Sequence, residues 1–367
     1  MKHVDAFRDP ARSRRLADRI AATVTRPWRI MEVCGGQTHA LVRFGIDQLL
    51  PDSITLLHGP GCPVCVTPTA TLDRAMALAR QHDVTLCTFG DMLRVPGSRG
   101  TLADAKAHGA DVRIVYSALD ALALARERAP SGRPVVFLAV GFETTAPGVA
   151  LAVEQAAAEG LDTFAILAAH VRVPPALEAL LADEDPVMDG LLAAGHVCAV
   201  MGTAEYEPIA AKHRIPIVVT GFEPVDLLDG LLGVVTQLEA GRHEVENRYT
   251  RVVRDEGTRA AREAIERVFE PVARTWRGMG SIPASGLGLV PAFARFDAAT
   301  RFPLSTEPSH DDPACIAGRV LVGRAKPTDC AAFGTSCTPD HPLGATMVST
   351  EGACAAYFRY RRAETSP

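Results

Sequence analysis

The feature that most constrains the fold of this chain is a series of short apolar runs that alternate with stretches of helical periodicity. Each run is apolar throughout, which is typical of parallel strands covered by helices on both faces. The runs are "WRIMEV", "SITLLHG", "DVTLCTFG", "DVRIVYS", "PVVFLAVG", "TFAILAAH", "HVCAVMG" and "IPIVVTG", and helical stretches such as "PTATLDRAMALARQH" separate them. We therefore predict an α/β protein with two consecutive Rossmann-like parallel-sheet domains and a different C-terminal region.

The predicted domain limits follow from where this pattern starts and stops. After residue 224 the chain continues as a helical stretch, "VDLLDGLLGVVTQLEAG", for which Gly241 is a plausible C-cap. A second helical stretch, "RAAREAIERVFEP", precedes a segment rich in glycine and proline and a cysteine-bearing tail. We assign residues 1–26 to an N-terminal helix that packs on the body, and residues 27–118 and 119–224 to the two α/β domains. Residues 225–367 are assigned to a loop- and helix-rich domain.

Composition narrows the function classes. The net charge of −5 argues against broad phosphate binding, so no nucleic-acid partner is expected. The first twenty residues contain no apolar signal-peptide core and no run of 18 apolar residues appears, so we expect a cytoplasmic protein without a membrane partner. In a reducing compartment, the nine cysteines indicate metal or thiol chemistry more than a structural disulfide framework.

Several reactive or polar residues directly follow predicted strands, where sites form in open parallel sheets. They are Cys34, Cys62, Cys65, Asp91 and Glu143. The sulfur of Cys34 is predicted to face the cleft, because residues just past parallel strands line the crevice and the two glycines after Cys34 keep that approach open. The glycines would also let backbone N–H groups stabilise a thiolate. Cys62 and Cys65 form a CxxC pair that can close a disulfide. Glu143 and Asp91 are either polar contacts in the cleft or first-turn charges of the following helices.

Other interpretations of these residues stay open. Cys34 can be a free thiol near a turn, or it can form a zinc site with His39 and the CxxC pair. Cys87 and Cys198 lie inside predicted strands, where buried structural cysteine is expected. His58 and His170 end strands and are interpreted as structural histidines, although each position can also face the cleft.

Four further cysteines lie close together near the C-terminus. Their spacing is C-x14-C-x6-C-x16-C among turn-forming residues, at Cys315, Cys330, Cys337 and Cys354. Four thiolates can hold a [4Fe–4S] cluster or a structural zinc ion, or they can remain free thiols. Zinc sites usually contain paired CxxC knuckles, which this spacing lacks, and the small or apolar neighbours suit a bulky, poorly solvated cluster.

The stretches "MEVCGGQTHALVRFG", "LLHGPGCPVCVTP", "AVGFETTAPG" and "CAAFGTSCTPDHPLGATMVSTEGACAAYF" together closely resemble the HypD family of [NiFe]-hydrogenase maturation proteins. The resemblance runs in order along nearly the whole chain. It implies a scaffold, more than a conventional turnover enzyme, on which the Fe(CN)2CO group of the hydrogenase is built. It also implies two partners, a HypC-like protein that shares the iron and a HypE-like protein that delivers cyanide.

The resemblance also implies roles for particular residues. Cys34 would hold the Fe(II) that carries cyanide and carbon monoxide, and Cys62 and Cys65 would be a redox-active pair. The four C-terminal cysteines would hold a [4Fe–4S] cluster, an arrangement similar to that of ferredoxin-thioredoxin reductases. We add His39 and Glu143 as candidate catalytic residues. The family motif has a histidine where this chain has Gln37, which cannot titrate.

Three functions therefore compete. The first is the maturation scaffold, the second is a cluster-dependent thiol–disulfide oxidoreductase, and the third is a structural protein with a zinc-stabilised tail. Metal analysis identifies the structural protein, which should contain zinc and no sulfide. Of the other two, only the scaffold should form a stable complex with a HypC-like partner and extra iron. The scaffold is favoured because a disulfide reductase leaves the "CGGQTH" motif unexplained.

Overall fold

The computed structural model of the chain describes residues 4–304 and 307–361. Its strands are β1 (Trp28–Glu32), β2 (Ile54–His58), β3 (Thr85–Thr88), β4 (Val112–Ile114), β5 (Val135–Gly141), β6 (Phe164–His170), β7 (Gly190–Ala194), β8 (Ile217–Thr220), β9 (Val245–Asn247), β10 (Phe269–Trp276) and β11 (Gly280–Leu289).

Helices separate most of these strands. They are α1 (Pro10–Thr23), α2 (Gly35–Arg43), α3 (Pro63–Val66), α4 (Thr69–Gln81), α5 (Leu102–Ala107), α6 (Ala118–Arg128), α7 (Ala146–Ala158), α8 (Val173–Leu181), α9 (Gly195–Met201), α10 (Glu207–His213), α11 (Pro224–Glu239), α12 (Arg259–Val268), α13 (Ala298–Arg301), α14 (Ala317–Leu321) and α15 (Ala353–Tyr360). None of the helices in the described ranges is long and apolar enough to cross a membrane.

The strands form two parallel sheets and one antiparallel hairpin. The larger sheet has the order β2-β1-β7-β8-β9, and the smaller has the order β4-β3-β5-β6. All pairs in both sheets are parallel. Strands β3, β5, β7 and β8 are buried throughout, as expected where helices cover both faces, whereas the edge strands β4 and β9 are partly exposed. The predicted α/β class with two Rossmann-like parallel sheets is confirmed.

The sheets do not divide the chain at residue 118, so the segments 27–118 and 119–224 need correction. The larger sheet combines β1 and β2 with three strands from residues 190–247, and the smaller sheet lies between them in sequence. The joining pair is β1 with β7, which places Ile30 opposite Gly190. Apolar periodicity identifies strands but carries no information about which distant strand completes a sheet.

Two predicted elements differ in the structure. The apolar composition of "HVCAVMG" predicts a strand, but this run lies in α9, and the strand is the preceding segment β7. A short buried helix and a buried strand have the same apolar composition, so the run alone does not separate them. The glycine-rich segment after α12 forms the antiparallel hairpin β10–β11, with an irregular register between Val272 and Arg274.

The segment after residue 224 wraps around the α/β body. Helix α11 ends at Glu239, and Gly241 adopts the left-handed conformation (φ 65°) predicted for a helix C-cap region. Helix α1 packs against α11, whereas α15 packs against α2 and the turn 345–347 packs against α3. The C-terminal segment therefore covers the residues that follow β1 and β2. Residues 1–3 and 362–367, at the ends of the predicted first and last domains, lie outside the described residues.

Candidate functional site

Cys34 lies between the end of β1 and the first turn of α2. Its side chain is only 1% exposed, so the sulfur is buried instead of facing an open cleft as predicted. Its backbone N–H donates to the Glu32 carboxylate at 3.0 Å, and its Sγ lies 3.6 Å from Nδ1 of His196. Burial raises the pKa of the Cys34 thiol well above its usual range, while the backbone N–H of Gln37 opposes this rise.

The loop that follows β2 packs directly on the backbone of Cys34. The carbonyl of Gly61 accepts the N–H of Gly35 at 2.8 Å. A Cβ atom at Gly61 would lie 2.1 Å from the backbone nitrogen of Cys34, and one at Gly35 would lie 3.1 Å from the Cβ of Cys62. Glycine at position 61 is therefore required for this close approach, which brings the Cys62 loop to Cys34.

Cys62 and Cys65 are joined by a disulfide at the start of α3. Both residues are buried, and the N–H of Cys65 donates to the sulfur of Cys62 at 3.2 Å. They share one apolar cluster with Cys34. The structure therefore places the three cysteines together at the carboxyl ends of the adjacent strands β1 and β2, the region where sites form in parallel sheets.

A buried polar network, which the sequence interpretation missed, surrounds the start of α2. Oε1 of Glu32 lies 2.7 Å from Nδ1 of His58 and accepts a hydrogen bond from the Thr38 hydroxyl at 2.5 Å. Nε2 of His58 lies 3.0 Å from the hydroxyl of Tyr357 on α15. Burial raises the pKa of Glu32, and the hydrogen bond from His58 opposes this change. The signal was present in "WRIMEV", in which a carboxylate ends an otherwise largely apolar strand.

His196 and Phe222 form another wall of the Cys34 site. Their rings lie 5.3 Å apart, and a methyl group at Gly36 would lie 3.2 Å from the Phe222 ring. Burial lowers the pKa of His196 to about 4, so its ring is neutral at pH 7. The sequence interpretation missed His196 because its segment was assigned to a strand, whereas α9 directs it at Cys34.

Gln37 and His39 point away from Cys34. The amide of Gln37 donates to the backbone carbonyls of Ala193 and Thr220 at 3.1 and 3.4 Å. Ala193 is the last residue but one of β7 and Thr220 is the last residue of β8, so Gln37 links α2 to the larger sheet. Nδ1 of His39 lies 2.9 Å from the carbonyl of Thr350, which fastens α2 to the C-terminal segment.

Glu143 follows β5 and is buried. One carboxylate oxygen accepts the backbone N–H of Val173 at 2.8 Å, and the other has no hydrogen-bond partner among the described residues. Burial raises the pKa of Glu143 to about 7. Asp91, in contrast, is half-exposed and lies 3.9 Å from Arg94.

The four C-terminal cysteines line one small cavity with an apolar wall. The wall also contains Ile316, Ala332, Phe333, Leu343 and Met347. The N–H of Leu343 donates to the sulfur of Cys337 at 3.4 Å, and the Thr346 hydroxyl donates to that of Cys354 at 3.1 Å. Within the two described ranges, no three His, Cys, Asp or Glu side chains lie close enough together to hold a single metal ion.

The chemistry of this cavity fits an iron–sulfur cluster. A side chain at Gly344 would come within 2.3 Å of the Cys315 sulfur, so glycine keeps this part of the cavity open. Thiols surrounding an apolar space, with N–H and O–H donors directed at two of the sulfur atoms, are the groups by which proteins hold and tune such clusters. The turn 345–347 packs against α3, and it therefore separates this cavity from the disulfide.

The other cysteines and histidines considered in the sequence analysis, Cys87, Cys198, His58 and His170, are all buried. Cys87 lies in β3 and Cys198 lies in α9, and burial raises the pKa of each thiol to about 12. Nε2 of His170 lies 3.1 Å from the hydroxyl of Thr145, and burial lowers the pKa of this histidine to about 3. His58, described above, is also buried but contacts Glu32 within the site.

A family model and full-length relatives of this chain all describe hydrogenase formation or maturation proteins. The family model described as "HypD: Hydrogenase formation hypA family" matches residues 11–361. The "Hydrogenase expression/formation protein HupD" of Azotobacter chroococcum mcd 1 is 50% identical over 99% of this chain and 97% of its own. The "Hydrogenase maturation factor HypD" of Rhodobacter capsulatus is 48% identical over 98% of both chains. The protein of the same name from Escherichia coli (strain K12) is 47% identical over 100% of both.

Proposed function

Because this chain belongs to the HypD family of hydrogenase formation proteins, and hydrogenase maturation is therefore its function, we propose that it is the scaffold on which the Fe(CN)2CO group is assembled. The observation that carries this proposal is the close packing of the Cys62 loop on the backbone of Cys34. A candidate iron ligand and a disulfide thus meet at the carboxyl ends of the adjacent strands β1 and β2.

Cys34 is suited to hold low-spin iron, because a thiolate is a soft ligand for an electron-rich metal. Burial keeps the free thiol protonated, so iron binding must displace its proton. Nδ1 of His196 lies 3.6 Å from the sulfur, so in the tautomer with Nδ1 unprotonated the ring can pass that proton on, and its lowered pKa of about 4 means that it does not retain the proton at pH 7. The backbone N–H groups of Gly36 and Gln37 then stabilise the thiolate.

The Cys62–Cys65 pair is suited to two-electron chemistry. The disulfide present in the structure becomes two thiols when it accepts two electrons and two protons. A [4Fe–4S] cluster held by Cys315, Cys330, Cys337 and Cys354 would supply single electrons. Alkylation followed by mass spectrometry should find both thiols of the pair after reduction and neither after oxidation. Full alkylation after oxidation contradicts this redox role.

Two partners complete the proposal. A HypC-like protein would donate a second thiolate to the iron, and a HypE-like protein would deliver cyanide. His39 and Glu143 remain candidate catalytic residues, for which the structure gives different surroundings: His39 contacts the C-terminal segment, and Glu143 holds the start of α8.

A second candidate function is a cluster-dependent thiol–disulfide oxidoreductase. It is favoured by the packing of α3, which carries the disulfide, against the turn beside the four-cysteine cavity. This function requires the Cys62–Cys65 pair and the cluster, but it does not explain the presence of Cys34 beside them.

Infrared spectroscopy of the anaerobically purified protein with its HypC-like partner distinguishes the two functions. The scaffold should show cyanide and metal-carbonyl stretching bands together with iron beyond that of the cluster. A preparation that holds the four-iron cluster, reduces disulfides and lacks both bands and extra iron would favour the oxidoreductase.

A further inference from the structure

Arg277 is a buried arginine between the disulfide helix and the four-cysteine cavity. It lies in the turn after β10 and is 6% exposed. Its backbone N–H donates to the carbonyl of Val66 at 2.8 Å, and its Nε donates to that of Thr67 at 2.9 Å. These carbonyls end the α3 segment that carries Cys65, so Arg277 holds that segment through two hydrogen bonds.

The same guanidinium also reaches the start of the C-terminal cysteine segment. Its Nη1 lies 3.1 Å from a carboxylate oxygen of Asp311. Directly after Asp311, the carbonyl of Asp312 accepts the backbone N–H of Cys315 at 3.0 Å. A Cβ atom at Gly278, where φ is 79°, would lie 2.4 Å from the Cα of Gly318. The turn that carries Arg277 therefore packs closely against the chain just after Cys315.

The charge of Arg277 is incompletely compensated within the described residues. Its Nη2 is buried and has no hydrogen-bond partner there. A guanidinium does not lose its proton in proteins, and a buried charge is costly unless it is paired. The carboxylate of Asp311 is 51% exposed, so water screens part of its effect. The charge of Asp73 also acts on Arg277, but the Asp73 carboxylate accepts hydrogen bonds from Ser98 and Ser309, and Nη2 of Arg277 stays without a partner among the described residues.

We infer that Arg277 is a positioning residue whose buried charge tunes the four-cysteine site and connects it with the end of the disulfide helix. The inference rests on the proposed cluster. Four thiolates around such a cluster carry a net negative charge, which becomes larger on reduction. A fixed positive charge beside Cys315 stabilises the reduced state more than the oxidised state, and it therefore raises the reduction potential.

The test is a spectroelectrochemical titration of the full chain, followed through the visible absorption of the cluster. Arg277→Gln should shift the midpoint to a more negative potential. We expect a change of about tenfold in the ratio of oxidised to reduced cluster at a fixed applied potential, which is about 59 mV for one electron. Arg277→Lys keeps the positive charge and should therefore shift the midpoint potential less than Arg277→Gln does.

Arg274→Gln is the matched control. Arg274 lies in the same hairpin and donates to the carbonyl of Leu287, away from the cysteine cavity. Its replacement should leave the midpoint unchanged. An unchanged midpoint in Arg277→Gln, or an equal shift in Arg274→Gln, would overturn the inference.

A second variant covers the case in which Arg277→Gln does not fold. Asp311→Asn removes the partly exposed counter-charge and should shift the midpoint to a less negative potential. No shift in that variant overturns the inference. Absence of iron and sulfide from the wild-type protein contradicts the proposed cluster itself, whereas a normal cluster with unshifted potentials contradicts only the role of Arg277.

Discussion

The Cys34 site and the four-cysteine site are built in opposite ways. Cys34 is held by the end of a central strand, the first turn of a helix and a glycine loop that permits backbone contact at 2.8 Å. The other four cysteines lie in turns and short helices, and they share a cavity instead of a regular element. The first site is therefore shaped by the sheet, whereas the second is shaped by turns and short helices, and we expect a group bound by its cysteines to stabilise it.

The largest expected effect of this difference is at Cys34. Cys34→Ala should abolish the extra iron and its cyanide and carbonyl bands, while the four-iron cluster and the fold persist. Cys34→Ser should fail nearly as severely, because a hydroxyl is a hard and weakly acidic ligand. Infrared spectra and iron-to-sulfide ratios of the complex with the partner measure both effects.

Cys87→Ala is the control for Cys34→Ala, since Cys87 is also buried but lies in the smaller sheet. It should retain normal bands. Normal cyanide bands in Cys34→Ala would mean that iron is bound elsewhere. Loss of the four-iron cluster in Cys34→Ala would instead make Cys34 a cluster ligand.

The second prediction concerns the four-cysteine site. Cys354→Ala should remove the broad visible absorption of the cluster and lower the unfolding midpoint, because ligand binding and folding are linked in a segment with few regular elements. Absorption and circular dichroism melts measure the two effects.

Cys198→Ala is the matched comparison for Cys354→Ala, because it removes a buried thiol outside the cavity. It should keep the visible absorption. Stoichiometric zinc in anaerobic wild-type protein, or an unchanged melt in cluster-free protein, would contradict the proposed dependence of this segment on a cluster.

The same contrast explains what the sequence could predict. The positions of Cys34, Cys62 and Cys65 after strands followed from apolar runs and from the rule that parallel strands end at one edge. The completion of the larger sheet by β7, β8 and β9 did not follow, because strand pairing over 160 residues has no local signal.

The burial of Cys34 and the role of its neighbours were also not predictable. His196 reaches the sulfur from a helix whose segment has the composition of a strand, and Tyr357 reaches His58 from the far end of the chain. The hairpin β10–β11 was missed because its strands contain glycine and proline, which are depleted in strands. It is this hairpin that brings Arg277 to the end of α3 and to Asp311, just before Cys315.

The third prediction breaks the Cys34 site without touching a cysteine. Gly61→Ala places a methyl group 2.1 Å from the backbone nitrogen of Cys34, where neither segment can move without disrupting the strand ends. We expect a loss of about 3 kcal/mol in the free energy of unfolding, with weaker iron binding. Denaturant titration and iron content measure these effects.

Gly148→Ala is the control for Gly61→Ala, because it lies in α7 and a methyl group there meets no atom within 4 Å. It should leave stability unchanged or raise it by about 0.5–1 kcal/mol. Equal stability of the two variants would mean that the contact between the loop and Cys34 is not tight.

The smallest expected effect comes from Glu143, a buried carboxyl group of the α/β body. Its pKa is raised to about 7 by burial, from 4.5 as the ordinary value, so the folded state holds its proton over a range in which the unfolded state has lost it. The stability that this proton provides is therefore present at low pH and is lost as pH rises through about 7. Between roughly pH 6 and pH 8 the free energy of unfolding should fall by about 1 kcal/mol on this account. Glu143→Gln, which can still accept the N–H of Val173, should remove that part of the slope, whereas Glu159→Gln at an exposed site should retain it. Urea titrations of the three proteins across this range measure the difference, and parallel slopes for wild type and Glu143→Gln would show that Glu143 is already ionised in the folded protein.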